Sequence, residues 1–210
     1  MKKTVAVLFL AALCLSMLCG CAKLNTDGLL EAAPDLIRRA HALNEIYYGE
    51  GIPYDRQATP IGNYYPADKL YLSEQGFSTI DELKAKTARV FSFDYCQSIY
   101  TSTLSGLAAE GSGYIYARYS SSQAQALRDE DETILVLSTA ENKLAHRISI
   151  TYDYAGVRLG EVGRNYAMVI LPTVTLLYAD EDHPENYEVR EDMAVKFVYE
   201  DGWRIDSATY

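Results

Sequence analysis

The 210-residue chain has no glycine-rich phosphate loop, no His-Glu-x-x-His pair, no Cys-x-x-Cys and no Gly-x-Ser-x-Gly nucleophile elbow. Enzyme classes recognised by those motifs are excluded, because each needs its residue types at that spacing to place the reacting atoms. Histidine is scarce, and only His41, His146 and His183 can act as bases near neutral pH or ligate a soft metal. Basic clusters are missing as well. Arg38-Arg39 is the densest pair and reads as a solvated helix face, while 19 Lys and Arg stand against 29 Asp and Glu, a net charge of -10. Nucleic acid is therefore not expected as a partner, since duplex binding draws on cations that neutralise phosphates. Anionic lipid is repelled for the same reason. There is no internal repeat and no low-complexity segment.

What is present begins at the N-terminus. Lys2 and Lys3 precede an apolar run from Thr4 to Leu18, broken only by Ser16 and short for a membrane span. Leu18-Cys19-Gly20-Cys21 follows and resembles a bacterial lipobox. The resemblance implies a signal peptide over residues 1–20, cleavage before Cys21, and diacylglycerol on the Cys21 thiol, with two or more acyl chains (palmitate among them) giving a stable anchor where one binds marginally. An uncleaved N-terminal helix is the alternative. The resemblance further implies a place on the extracytoplasmic face of a bacterial membrane, the membrane itself being a partner through the lipid on Cys21. Loss of residues 1–20 leaves 190 residues, enough for one domain with a sizeable core, with 17 basic against 29 acidic side chains. Of four cysteines, Cys96 alone then remains as a thiol, so no intrachain disulfide can form, and burial is its ordinary fate.

Residues 21–33 read as a lipidated polar tether, and residues 34–210 as a single α+β domain. Pro34 suits a helix start, with Leu36, Ile37, Ala40, Leu43 and Tyr47 on one face and Gly49 and Gly51 as the stop. Ile52 to Gly76 reads as ordered loop with one short strand. Thr79 and Glu82 form a capping-box pattern for a second helix, and Asp94 caps a third. From Tyr114 onward the period changes to two: Tyr114–Tyr119, Thr133–Leu137, His146–Tyr154, Tyr166–Tyr178 and Val189–Tyr199 read as strands, and Asp201-Gly202 as a hairpin turn feeding Trp203–Ile205. Helices first and antiparallel strands after imply N-terminal helices packed on a strongly bent, cone-like antiparallel sheet.

The candidate site residues fall into two sets. His41 shares a polar helix stripe with Ile37, Asn44 and Tyr48; with His146 and Asp206 these can line a pocket between helices and sheet, or be boundary residues satisfied locally. Tyr54, Tyr64 and Tyr65, from a chain with 18 tyrosines, are either a binding surface or plain packing. The acidic run around His183 lacks the glycine and spacing of a calcium loop and reads as solvated turn. No metal, cofactor or catalytic residue is expected.

Tyr199-Glu200-Asp201-Gly202-Trp203-Arg204-Ile205-Asp206 resembles the closing hairpin of the cone-shaped nuclear-transport-factor-two-like and cystatin-like domains. Ala40 to Ile52, then Tyr71, Phe77, Thr79-Ile80-Asp81-Glu82-Leu83 and Val90-Phe91-Ser92, is similar in order to the secreted inhibitors of cell-wall DL-endopeptidases, which include lipoproteins. The resemblance implies a non-enzymatic protein that presents a loop to a peptidoglycan hydrolase, the candidate loops being Ser120–Glu132 and Gly156–Asn165; acidic character suits docking to a basic wall enzyme. A small-molecule-binding, or cryptically enzymatic, cone domain is the alternative.

Overall fold

A computed structural model describes residues 24–109, 113–122, 132–138, 148–177 and 185–209. Helices come first: α1 (Leu29–Tyr47), then strand β1 (Tyr64–Pro66), α2 (Lys69–Gln75), α3 (Ile80–Ala88) and α4 (Phe93–Thr103). Strands follow as β2 (Leu107–Ala109), β3 (Gly113–Ile115), β4 (Tyr119–Ser122), β5 (Thr133–Leu137), β6 (Ile148–Tyr152), β7 (Arg158–Val162), β8 (Ala167–Leu177), β9 (Tyr187–Tyr199) and β10 (Trp203–Ile205). The α+β expectation holds, with a strongly curled antiparallel sheet.

Two long strands organise the sheet. β8 pairs with β9 along eleven positions, from Ala167 opposite Phe197 to Leu177 opposite Tyr187. On its other edge β8 receives β7 at its start and β6 at its end. Strand β10 closes the far edge, with Trp203 opposite Tyr199 across the Asp201-Gly202 turn, whose φ values of 50° and 132° are the positive angles that dipeptide tolerates. Strands β1, β5 and β4 form a separate three-stranded sheet, and β2 and β3 a hairpin.

Alternation along β8 buries Ala167, Val169 and Leu171, which meet Val195 and Phe197 of β9 and the apolar stripe of α1: Leu29, Ala33, Ile37, Ala40 and Leu43. That stripe explains a correction. The helix starts at Leu29 and not at Pro34, because Leu29 and Ala33 are fully buried and extend the apolar row by more than a turn. Pro34 therefore lies inside the helix, near enough to its start that only the carbonyl of Leu30 forgoes an i→i−4 partner. Residues 24–33, expected as tether, belong to the fold: Leu24 N–H donates to the Gly163 carbonyl at 3.0 Å, and Trp203 Nε1 to the Asp27 carbonyl at 3.3 Å.

The end of α1 is held from β4. Arg118 donates to the carbonyls of Tyr47 (2.9 Å) and Gly49 (2.6 Å), and the Tyr119 hydroxyl donates to that of Ile46 while accepting from Ile52 N–H at 3.0 Å. A guanidinium on exposed C-terminal carbonyls also suits the helix dipole. Two further expectations need correction, and a third is extended. The 52–76 stretch contains α2, started by Asp68 accepting from Tyr71 N–H and stopped by Gly76 in the left-handed region. Ser92 and not Asp94 caps α4, accepting from Tyr95 N–H. Thr79 caps α3 as the capping box requires, accepting from Glu82 N–H, and the Glu82 carboxylate reaches back to the Thr79 backbone and also accepts from the N–H and hydroxyl of Ser78, one residue further than expected.

Candidate functional site

The polar stripe of α1 does gather partners, though not the expected ones. Tyr152, at the end of β6, and Tyr154, two residues on, project to the same side of the chain, and Asp153 between them accepts from the N–H groups of Ala155 and Gly156, closing a tight turn. His41 meets both rings: its centroid lies 4.0 Å from that of Tyr152, and its Nδ1 is 2.9 Å from the Tyr154 hydroxyl. One turn earlier, the Arg38 guanidinium sits 4.7 Å over the Tyr154 ring. One turn later, Asn44 is buried and donates from Nδ2 to the hydroxyl of buried Thr209 at 2.7 Å.

Electrostatics fixes the protonation. Burial lowers the His41 pKa from 6.5, partly opposed by the Thr209 backbone, while burial raises both tyrosines, Tyr154 being partly offset by Arg38. With both groups neutral, the bond is made either by the Tyr154 hydroxyl donating to Nδ1 or by Nδ1–H donating to the phenol oxygen, according to the tautomer of His41. Nε2 is buried without a hydrogen bond of good geometry, the Thr209 backbone being its polar neighbour, and the Asn44 Oδ1 is likewise buried and unsatisfied. The cluster thus offers an aromatic wall, a flanking cation and two underused polar atoms, in a setting that holds His41 uncharged.

The other predicted residues are dispersed. The Tyr48 hydroxyl pairs with Ser102 Oγ at 3.2 Å. Asp206 accepts from Lys196 Nζ at 2.6 Å and from the Ser92 hydroxyl, which joins the C-terminal strand to the start of α4. No hydrogen bond among the described residues joins His41, Tyr48 and Asp206 directly, and His146 and Cys21 lie outside the described residues, as does His183. Where the pocket was expected, Phe91, Val169, Phe197 and Trp203 are buried in the core, Trp203 at 7% exposure and the others at 1% or less. Tyr54 and Tyr65 stack at 4.9 Å between centroids, and the Tyr64 hydroxyl donates to the Ala117 carbonyl at 2.8 Å; all three are half-buried, which favours packing over an open binding surface. Cys96 is buried with its thiol pKa raised by desolvation, so it is a poor nucleophile. Of the two loops expected to face a partner, Gly156–Asn165 contains β7 and residues 123–131 lie outside the described residues.

Sequence reasoning missed Tyr152 and Tyr154 as partners of His41. Their i, i+2 spacing placed them on one face, but nothing in the sequence paired that face with α1. It also missed an open cleft of about 890 Å³ between α3, α4 and the β9–β10 hairpin, lined by Phe91, Phe93, Tyr100, Tyr199 and Arg204 among others. Phe93 is 67% and Tyr199 61% exposed. Among the described residues no group of His, Cys, Asp and Glu is arranged to hold a metal, and no helix is long and apolar enough to cross a membrane. Comparison with protein-family models, curated proteins and solved structures found no match.

Proposed function

We propose that this chain is a non-enzymatic lipoprotein, anchored through Cys21 at the extracytoplasmic face of a bacterial membrane, that binds and restrains a peptidoglycan hydrolase. The observation that carries the non-enzymatic part is the filled core: four large side chains occupy the space between helices and sheet that a cone-fold enzyme uses for its substrate. The ionisable groups nearest that space are engaged with one another, Asp206 with Lys196 and His41 with Tyr154. Recognition then falls to the outer surface, where an acidic domain gains association rate toward a basic wall enzyme. The flank of Arg38, Tyr152 and Tyr154 is the contact face favoured here, since aromatic and arginine side chains dominate binding hot spots.

The test uses the chain from residue 22, incubated with DL-endopeptidases and purified peptidoglycan. Muropeptide release should fall in its presence, and the hydrolase should be captured on the immobilised domain. Full activity of every such enzyme together with no capture refutes the partner. The small-molecule reading is weaker because its pocket is occupied; a ligand that raises the melting temperature and is displaced by Tyr154→Ala would favour it.

A further inference from the structure

One end of the long sheet gathers the start of the described chain and two turns. β7 ends at Val162 opposite Ala167, where β8 begins; β9 ends at Tyr199 opposite Trp203, where β10 begins; and Ala167 faces Phe197 across β8 and β9. The β7–β8 turn (163–166) and the β9–β10 turn (200–202) therefore lie at the same end. Residues 24–27 cross that end, fixed at one point by Leu24 on Gly163 and at another by Asp27 on Trp203.

The distance from Leu24 back to Cys21 is three residues, which span at most roughly 10 Å even fully extended. A lipid on Cys21 accordingly leaves this end of the sheet no room to stand away from the bilayer, whose headgroup layer is itself several ångströms deep. The surface there carries two large exposed rings. Tyr199 packs edge-on against Trp203 with centroids 5.3 Å apart, and the backbone N–H of Phe93 donates to the Glu200 carboxylate of the β9–β10 turn at 3.1 Å. Phe93 and Tyr199 face the same open cleft. A tyrosine ring, with its polar hydroxyl on an apolar body, settles at a membrane–water interface, and an exposed phenylalanine beside it adds apolar area that enters the acyl boundary.

Resting on the reading that Cys21 is acylated, we propose that the β7–β8 and β9–β10 turn end of the sheet lies against the lipid bilayer, with Phe93 and Tyr199 in its interface. The flank carrying Arg38, Tyr152 and Tyr154 is thereby directed sideways, and the far end of β9 points away from the membrane. The contact needs the anchor, because the acidic surface is repelled by anionic headgroups on its own.

Two single-cysteine labels test this in the full mature lipoprotein, reconstituted into phosphatidylcholine vesicles containing lipid with a headgroup nitroxide. Arg164→Cys marks the β7–β8 turn, and Glu188→Cys marks the other end of β9, roughly 30 Å from Phe197 along the strand. The parent protein, with Cys96 buried, serves as the unlabelled blank. Mass spectrometry of the Cys21 peptide is read first. Acylated protein should lose fluorescence at position 164 and keep it at 188, and adding Phe93→Ser with Tyr199→Ser should restore part of the lost signal at 164. Equal quenching at both positions, or stronger quenching at 188, in a protein of confirmed acylation overturns the orientation while the anchor stands. Unchanged quenching in the double variant overturns the role of the two rings. An unmodified Cys21 overturns the anchor, and the orientation with it.

Discussion

Truncating Trp203 to alanine tests whether β10 closes the core. Trp203 is 7% exposed, lies on the inward side of its strand with Ile205, and donates to the Asp27 carbonyl. A ring system of this size buries about 200 Å², and at about 25 cal/mol per Å² that is worth about 5 kcal/mol. A compact denatured state hides part of the same surface and trims the figure by about 10–40%, leaving about 3–4.5 kcal/mol, within the range of about 3–5 kcal/mol for aromatic-to-alanine changes in cores. For a domain of about 150–250 residues each kcal/mol moves the melting temperature by about 2–4 °C, so a fall of about 6–18 °C is expected. Differential scanning calorimetry of the chain from residue 22 measures it. Trp203→Phe keeps most of the apolar contact and removes the donor, so it should cost only about 0.5–1.5 kcal/mol. An alanine variant melting within about 2 °C of the parent, less than the effect of 1 kcal/mol, refutes the argument, because a side chain filling this core cannot be removed so cheaply.

Two further outcomes follow from the site and the hairpin. The folded pKa of His41 lies below its ordinary 6.5, so as acid is added the unfolded chain takes up the proton first; stability is fully present above pH 6.5 and is lost as pH falls through the lower folded value. His41→Gln should flatten this dependence, and denaturant midpoints at about pH 7.5 and about pH 5 compare the two proteins; equal slopes would show that His41 is not held neutral. Gly202, at φ 132°, should not accept a side chain, so Gly202→Ala should cost about 1–2 kcal/mol in the same unfolding experiment, and a neutral result would mean that the turn relaxes.

The strands were legible where alternation was strong. Thr133–Leu137 and Trp203–Ile205 occur with the expected bounds, and the strand read at Tyr166–Tyr178 appears as Ala167–Leu177. β7 was hidden because Arg158, Gly160 and Glu161 make a strand look like a polar loop, and among the described residues it pairs with the start of β8 alone. The first helix was read too short because Pro34 is a strong start signal, whereas Leu29 and Ala33 are defined as helical only by the β-sheet residues they touch. α2 escaped notice because seven residues among Pro60, Pro66 and Gly76 carry too little period to count. The site was legible by half: the residue type and face of His41 are in the sequence, but its partners lie 111 and 113 positions away, at the end of β6 and in the turn after it, whose placement depends on long-range pairing. Asp206 bonds to Ser92 and Lys196, and His146 lies outside the described residues.

The hydrogen bond from Trp203 to Asp27 joins residues 176 positions apart, and that separation orders events in time. A chain is made N-terminus first, so residues 24–27 emerge before either Gly163 or Trp203 exists to hold them. For nearly the whole of synthesis residues 24–27 therefore lack the partners that hold them to the sheet. Only when the last two dozen residues arrive can β9 and β10 form and draw Leu24 and Asp27 onto the sheet. On the proposed reading that Cys21 is acylated, the reaction is easiest before these contacts form, and the same contacts that finish the domain would shorten its reach from the anchor.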